Sequence, residues 1–330
     1  MHRRALLVAV AGLSGCTGLV PLGGGTGSAG QSSGAASDAD DPEASGGSQE
    51  GTATATPAGT PSDGTPSAAA LRRMDVPDLL DRAREQTDLA VDAYAGDGGS
   101  LTAVTAATDS FDPTPAIEHL YNAQAAYEAA NRQGISAEQE QTIQRLRRVK
   151  TLLRLAIDAQ SLLVQAHVDL EEFVDAVEYV DAESVGSIRD RVASRQERAT
   201  AVVSELSQKQ YAQSVGVVDR LSRAEYDDKR LQLETEAQVL DRLFGALEGV
   251  IEGVRLLSQA RGKRRSGAPY AAARLARDAE TAFVRGRASL DSVAGSIPPQ
   301  GRGFAAVAAA LVTAADDRRV DARELYEGVA

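Results

Sequence analysis

From Val76 onward apolar residues recur every three or four positions, the period of a helix that buries one face. Val76-Pro77 opens a first predicted helix with proline in its first turn, and Gly96-Asp97-Gly98-Gly99 stops it. A loop follows through Asp109-Ser110-Phe111-Asp112-Pro113, and a second helix runs from near Pro115 to Gly134. Ser136 and Gln139 have the spacing of a capping box at the start of a third helix, which reaches Asp181. Along it Leu146, Val149, Leu153, Ala156, Gln160, Leu163, His167, Leu170, Val174 and Val177 form a coiled-coil-like seam. Ile157 and Val164 widen the seam, which predicts more than one packing neighbour.

A more polar helix is expected over Ser184 to Gln208, then a second long element from Val215 to Arg261. In that element Leu233, Ala237, Leu240, Phe244, Leu247, Ile251 and Val254 mark the seam. Gly245, Gly249 and Gly253 line one side of it, four residues apart, predicting a close helix crossing at all three. Charged neighbours such as Asp241, Glu248 and Arg255 argue against reading this stretch as a membrane helix pair. Arg261 to Arg265 reads as a loop, followed by a hairpin-like stretch and a buried apolar helix at Ala305–Ala315. No run of alternating β-branched residues is long enough to predict a strand. The expected fold of residues 71–330 is therefore all-α: an elongated antiparallel bundle with long coiled-coil-like helices.

The first 70 residues follow a different pattern. Met1-His2-Arg3-Arg4 is basic, Ala5 to Gly12 is apolar, and Leu13-Ser14-Gly15 leads into Cys16, the chain's single cysteine. The apolar run is too short to span a bilayer, which takes roughly 20 residues. A core helix through Gly12, Gly15, Gly18 and Pro21 would be poor, so a buried core thiol is the weaker reading. Residues 17–70 are mostly Gly, Ser, Thr, Ala, Pro and acidic residues, without one Lys or Arg. Such a composition cannot bury enough surface to offset its ordering entropy, so a disordered linker is expected. As a flexible coil it would span about 40 Å from end to end.

Together these residues resemble a secreted lipoprotein of the haloarchaeal type. In such proteins the segment 1–16 is a signal, Arg3-Arg4 directs twin-arginine export, and the cysteine receives a lipid. The resemblance implies a chain held to the outer face of the cell membrane through Cys16, with membrane lipid as its first partner. A thiol used in this way is lost to disulfides and metals.

Charge extends that picture. The chain carries 35 basic and 47 acidic residues, a net charge of −12. Only Lys150, Lys209, Lys229 and Lys263 are lysines, and tryptophan is absent. This balance is similar to that of salt-adapted proteins, although an ordinary acidic protein would share part of it. It disfavours nucleic acid as a partner, since phosphate backbones need a basic face. Two local exceptions stand out, Arg145-Arg147-Arg148-Lys150 and Arg261 to Arg265. Each is either a solvated face balanced by nearby carboxylates or a contact for anionic lipid or an acidic partner.

Gly267, Tyr270, Ala279, Phe283 and Gly286 fall at tetratricopeptide offsets, and this stretch resembles one such unit. Lys263 and Ser266 depart from that pattern, and Thr313 and Asp317 do not continue it.

Candidate chemistry is sparse. His119 and His167 would lie about 25 Å apart in a helix hairpin turning at Gly134, too far to share a metal. Adjacent carboxylates at Glu171-Glu172, Asp227-Asp228 and Asp316-Asp317 diverge on a helix and read as solvated faces. No nucleophile elbow, phosphate loop, dinucleotide fingerprint or calcium loop is present, so no catalytic residue, metal or cofactor is expected. Two function classes follow: a non-catalytic interaction or scaffold module meeting a protein partner at the cell surface, or a ligand-binding protein or enzyme with a pocket between helices. The second requires the scarce aromatics Tyr94, Tyr121, Tyr127, Tyr270 and Phe283 to converge on one cavity.

Overall fold

The computed structural model describes residues 67–96, 99–209 and 212–328. The Arg3-Arg4 leader, the Leu13-Ser14-Gly15-Cys16 motif and all but the last few linker residues lie outside them. Among the described residues the fold is all-α, with no strand. The helices are α1 (Ala68–Leu71), α2 (Val76–Ala95), α3 (Thr114–Asn131), α4 (Ala137–Tyr179), α5 (Ala182–Gln208), α6 (Arg223–Ala246), α7 (Glu248–Arg265), α8 (Pro269–Ala294) and α9 (Ala305–Glu327). Short 3-10 turns occupy Leu101–Ala103, Val215–Val217 and Pro299–Phe304.

The helix starts follow their capping chemistry. The Asp75 carboxylate accepts the Asp78 N–H (3.0 Å) to begin α2, with Pro77 in the first turn. At α4 the Ser136 hydroxyl accepts from the Gln139 N–H, and the Gln139 amide oxygen accepts from the Ser136 N–H (2.8 Å). This reciprocal box satisfies two donors that the first turn leaves without carbonyl partners.

Helix α4 is the axis of the core. Its 43 residues extend about 64 Å at helical rise. Along the expected seam every residue from Leu146 to Val177 is buried except the half-buried Val174. α4 touches α2, α3, α5, α6 and α9, so the broad apolar stripe has several neighbours. In the α3–α4 hairpin the Lys150 ammonium donates to the Gln124 side chain and lies over the Tyr121 ring.

Three expectations are corrected. The element from Val215 to Arg261 is not one helix: extended backbone near Val218 precedes α6, and the axis breaks at Leu247. There the Leu247 N–H reaches back to Phe244 rather than Leu243, between two glycines that offer the helix little propensity. Arg261 to Arg265 is the last turn of α7, not a loop, because cationic residues suit a helix C-terminus. The helix is closed off two residues later by Gly267, whose φ of +76° favours glycine. Finally, the hairpin-like stretch is the single 26-residue helix α8. A tetratricopeptide unit is a helix–turn–helix, whereas α8 continues without a turn from Pro269 to Ala294.

Of the three seam glycines, two make the expected close contact. A Cβ on Gly249 would come within 2.6 Å of the Gly286 nitrogen, and one on Gly253 within 2.7 Å of the Phe283 ring. Gly245 does not take part: it is exposed, with open space where its Cβ would be. It belongs to the end of α6, before the break at Leu247, and not to α7.

Candidate functional site

The densest polar chemistry in the interior lies on α6. Glu225, Lys229, Gln232 and Glu236 are spaced four, three and four apart, which puts them in one stripe along the helix. The stripe faces the connection from α2 to α3. The Glu225 carboxylate accepts the Leu101 N–H (3.0 Å), and the Val104 carbonyl accepts from the Lys229 ammonium (2.7 Å) and the Gln232 amide (2.9 Å). Glu236 accepts the Ala106 N–H (3.2 Å). Val104 and Ala106 belong to irregular chain that is buried, and buried backbone must find partners. The α6 stripe supplies them.

The same ammonium donates to Gln160 on α4 (2.7 Å) and to Gln232 (3.1 Å), and sits 5.2 Å from the centre of the Tyr94 ring. The Tyr94 hydroxyl also donates to the Gln160 oxygen. Lys229 is 2% exposed and Glu236 is fully buried. Burial pulls the Lys229 ammonium well below its ordinary range and pushes the Glu236 carboxyl up, each opposed by the other's charge. Tyr94 is likewise raised by burial. Gly303 closes the far side, where a Cβ would come within 2.7 Å of a Glu236 oxygen. Beside the stripe, Thr102, Asp228, Gln232, Gln300 and Arg302 border a groove of about 350 Å³. Among the described residues the Lys229 ammonium has three neutral oxygens as its partners, the Val104 carbonyl and the Gln160 and Gln232 side-chain oxygens. Chemically the cluster holds irregular backbone in place.

Other singled-out residues have separate roles. Gln160 is a buried seam residue, as its position predicts. His167 is also buried, with its Nδ1 3.9 Å from Glu171 and its ring against Phe304 at 6.0 Å. Its Nε2 has no hydrogen-bond partner among the described residues, so it is less satisfied than a core histidine should be. Burial lowers its pKa. His119 pairs with Gln86 (3.0 Å). Among the described residues no group of three His, Cys, Asp or Glu side chains is placed to hold a metal ion.

The five aromatics do not converge. Tyr94 is fully buried against Phe111, Tyr127 lies under Arg147, and Phe283 packs on Gly253. Tyr121 and Tyr270 are exposed. Sequence reasoning missed the α6 stripe, and it missed Asp169, a buried carboxylate paired with Arg191 (3.0 Å) and Arg195 (2.9 Å). Compared with known proteins, the chain matches no family model, no curated protein and no solved structure.

Proposed function

We propose that the mature chain is a lipid-anchored module on the extracellular side of the cell membrane, a non-catalytic interaction or scaffold surface for a protein partner there. The observation that carries this reading is the order of parts along the sequence. Basic Arg3-Arg4, a short apolar run and Leu13-Ser14-Gly15 precede Cys16, then comes an acidic spacer free of Lys and Arg, then a helical body. Two features of the body support it. Among the described residues no helix is long and apolar enough to cross a membrane, so attachment through a lipid is the route that the sequence offers. The polar stripe on α6 is committed to holding backbone, and the five candidate aromatics are dispersed rather than gathered at one cavity.

Membrane fractionation tests the anchor. Cys16→Ser moves the protein from the membrane to the soluble or secreted fraction; full retention in the membrane contradicts the proposal. The net charge of −12 adds a salt requirement, because self-repulsion between carboxylates is screened only in strong salt. Helicity by circular dichroism falls as salt is lowered from molar to millimolar, whereas unchanged helicity removes the salt-adapted reading.

A further inference from the structure

The ends of α4, α7 and α9 meet at a pocket of about 530 Å³. Arg261, Arg264 and Arg265 from the last turn of α7 form its cationic side, and Tyr179, Val180 and Leu325 form an apolar side. Ser258, one turn back on α7, adds a hydroxyl.

Arginines at a helix C-terminus commonly serve the helix itself, complementing its dipole and its last carbonyls. Here backbone groups already fill that role. The Gly262 carbonyl accepts from Ser266 N–H (3.1 Å), Arg264 from Gly267 N–H (3.2 Å), and Lys263 from Ala268 N–H (3.0 Å). At α4 the Ala176 and Val177 carbonyls accept from Asp181 and Val180. Val180 reaches that geometry at φ 57°, a left-handed conformation unfavourable for a β-branched residue.

Several other guanidiniums on α7, α8 and α9 are neutralised. Arg255, Arg287, Arg318, Arg319 and Arg323 each pair with a carboxylate. Within the pocket Arg261 is held by Asp321 (3.1 Å), which also binds Arg318. Arg264 and Arg265 are exposed, and among the described residues neither guanidinium has a hydrogen bond or an ion pair. A chain with a large acidic excess thus leaves two adjacent guanidiniums unneutralised beside an apolar wall. A guanidinium fork matches the oxygens of a phosphate, and the wall suits an uncharged shoulder next to that phosphate.

We propose that this pocket binds an anionic phosphate ester, either the headgroup region of an acidic phospholipid or a soluble phosphate ester of similar size. The inference stands apart from the anchor, since it rests on α4, α7 and α9 alone.

Calorimetric titration of the full chain tests it, in salt that preserves the fold. The probes are glycerol 3-phosphate, monomeric dihexanoyl phosphatidylglycerol and dihexanoyl phosphatidylcholine. At least one anionic probe binds saturably, and the choline lipid does not. Arg264→Gln/Arg265→Gln weakens binding about tenfold, the scale of one lost charge-assisted hydrogen bond. Arg264→Lys/Arg265→Lys, which keeps the charge but loses the fork, is intermediate. Arg274→Gln/Arg285→Gln removes two other exposed arginines and leaves affinity unchanged. Tighter binding of phosphatidylglycerol assigns the site to lipid, and equal or tighter binding of glycerol 3-phosphate assigns it to a soluble ester. Absence of saturable binding, equal binding of the choline lipid, or equal weakening in the 274/285 control overturns the proposal. Unchanged thermal midpoints in all three variants separate loss of the site from loss of the fold.

Discussion

The interior where α2, α4 and α6 meet and the interior between α7 and α8 solve the same packing problem by opposite means. In the first, an ammonium, a carboxyl and two glutamines lie out of water, joined to one another and to the chain between α2 and α3. In the second, α7 and α8 meet backbone to backbone at Gly249 and Gly286, and Ala272, Ala276, Ala279 and Ala282 are fully buried. The polar region is costly, because burying ionisable groups carries a desolvation penalty that hydrogen bonds only partly offset. It is used where irregular backbone has to be buried and needs donors and acceptors. The glycine–alanine region contains only regular helix, whose backbone is already satisfied, so close approach and dispersion suffice there.

If that contrast is right, substitutions break the two regions in different ways. The largest effect belongs to the polar cluster. Lys229→Met leaves the Val104 carbonyl short of a donor and Glu236 without its compensating charge, and costs about 3–5 kcal/mol in denaturant unfolding. Amide exchange accelerates at Leu101 and Ala106 before it does in α8. Adding Glu236→Gln to Lys229→Met recovers part of the loss; strict additivity of the two would show that the charges do not interact.

Next comes Gly286→Ala, whose Cβ would lie 2.7 Å from the Val250 nitrogen. The helices must separate, at about 2–3 kcal/mol. Gly245→Ala is its counterpart: with open space around that position it stabilises by about 0.5 kcal/mol. A similar penalty at both positions would remove the distinction between them.

The smallest effect is a pH dependence. His167 has its folded pKa depressed by burial, opposed by Glu171 and Asp109, so the unfolded chain takes up a proton first as pH falls from about 6.5. The stability that neutral His167 contributes is present above that pH and is lost as pH falls through the lower folded value. His167→Leu flattens this part of the stability–pH profile, whereas an unchanged slope assigns it to other groups.

Much of the fold was legible because it rests on local rules. Ser136 and Gln139 announce the start of α4, and the 3-4 spacing from Leu146 to Val177 gives the buried face of that helix. What the sequence hid was the face of α6. Lys229, Gln232 and Glu236 are buried beside the expected Leu233, Ala237, Leu240 and Leu247, and Leu243 is buried where the expected Phe244 is only half-buried. Lys229 and Glu236 hold seam spacing about Leu233, which is the signal that was present. It is easily passed over, since Lys and Glu are almost never fully buried without partners, and their backbone partners Val104 and Ala106 are more than a hundred positions away. The break at Leu247 was hidden for a related reason: apolar spacing continues across it, and only the hydrogen-bond pattern changes. Arg264 and Arg265 were visible as a basic cluster, but their lack of carboxylate neighbours depends on how α4 and α9 pack.

The attachment of this body to the envelope is tested most directly by mass spectrometry of the protein isolated from its native membrane. The account predicts a mature chain beginning at Cys16, with lipid mass on that residue and residues 1–15 removed. A free thiol at Cys16 in a chain that retains residues 1–15 would contradict it.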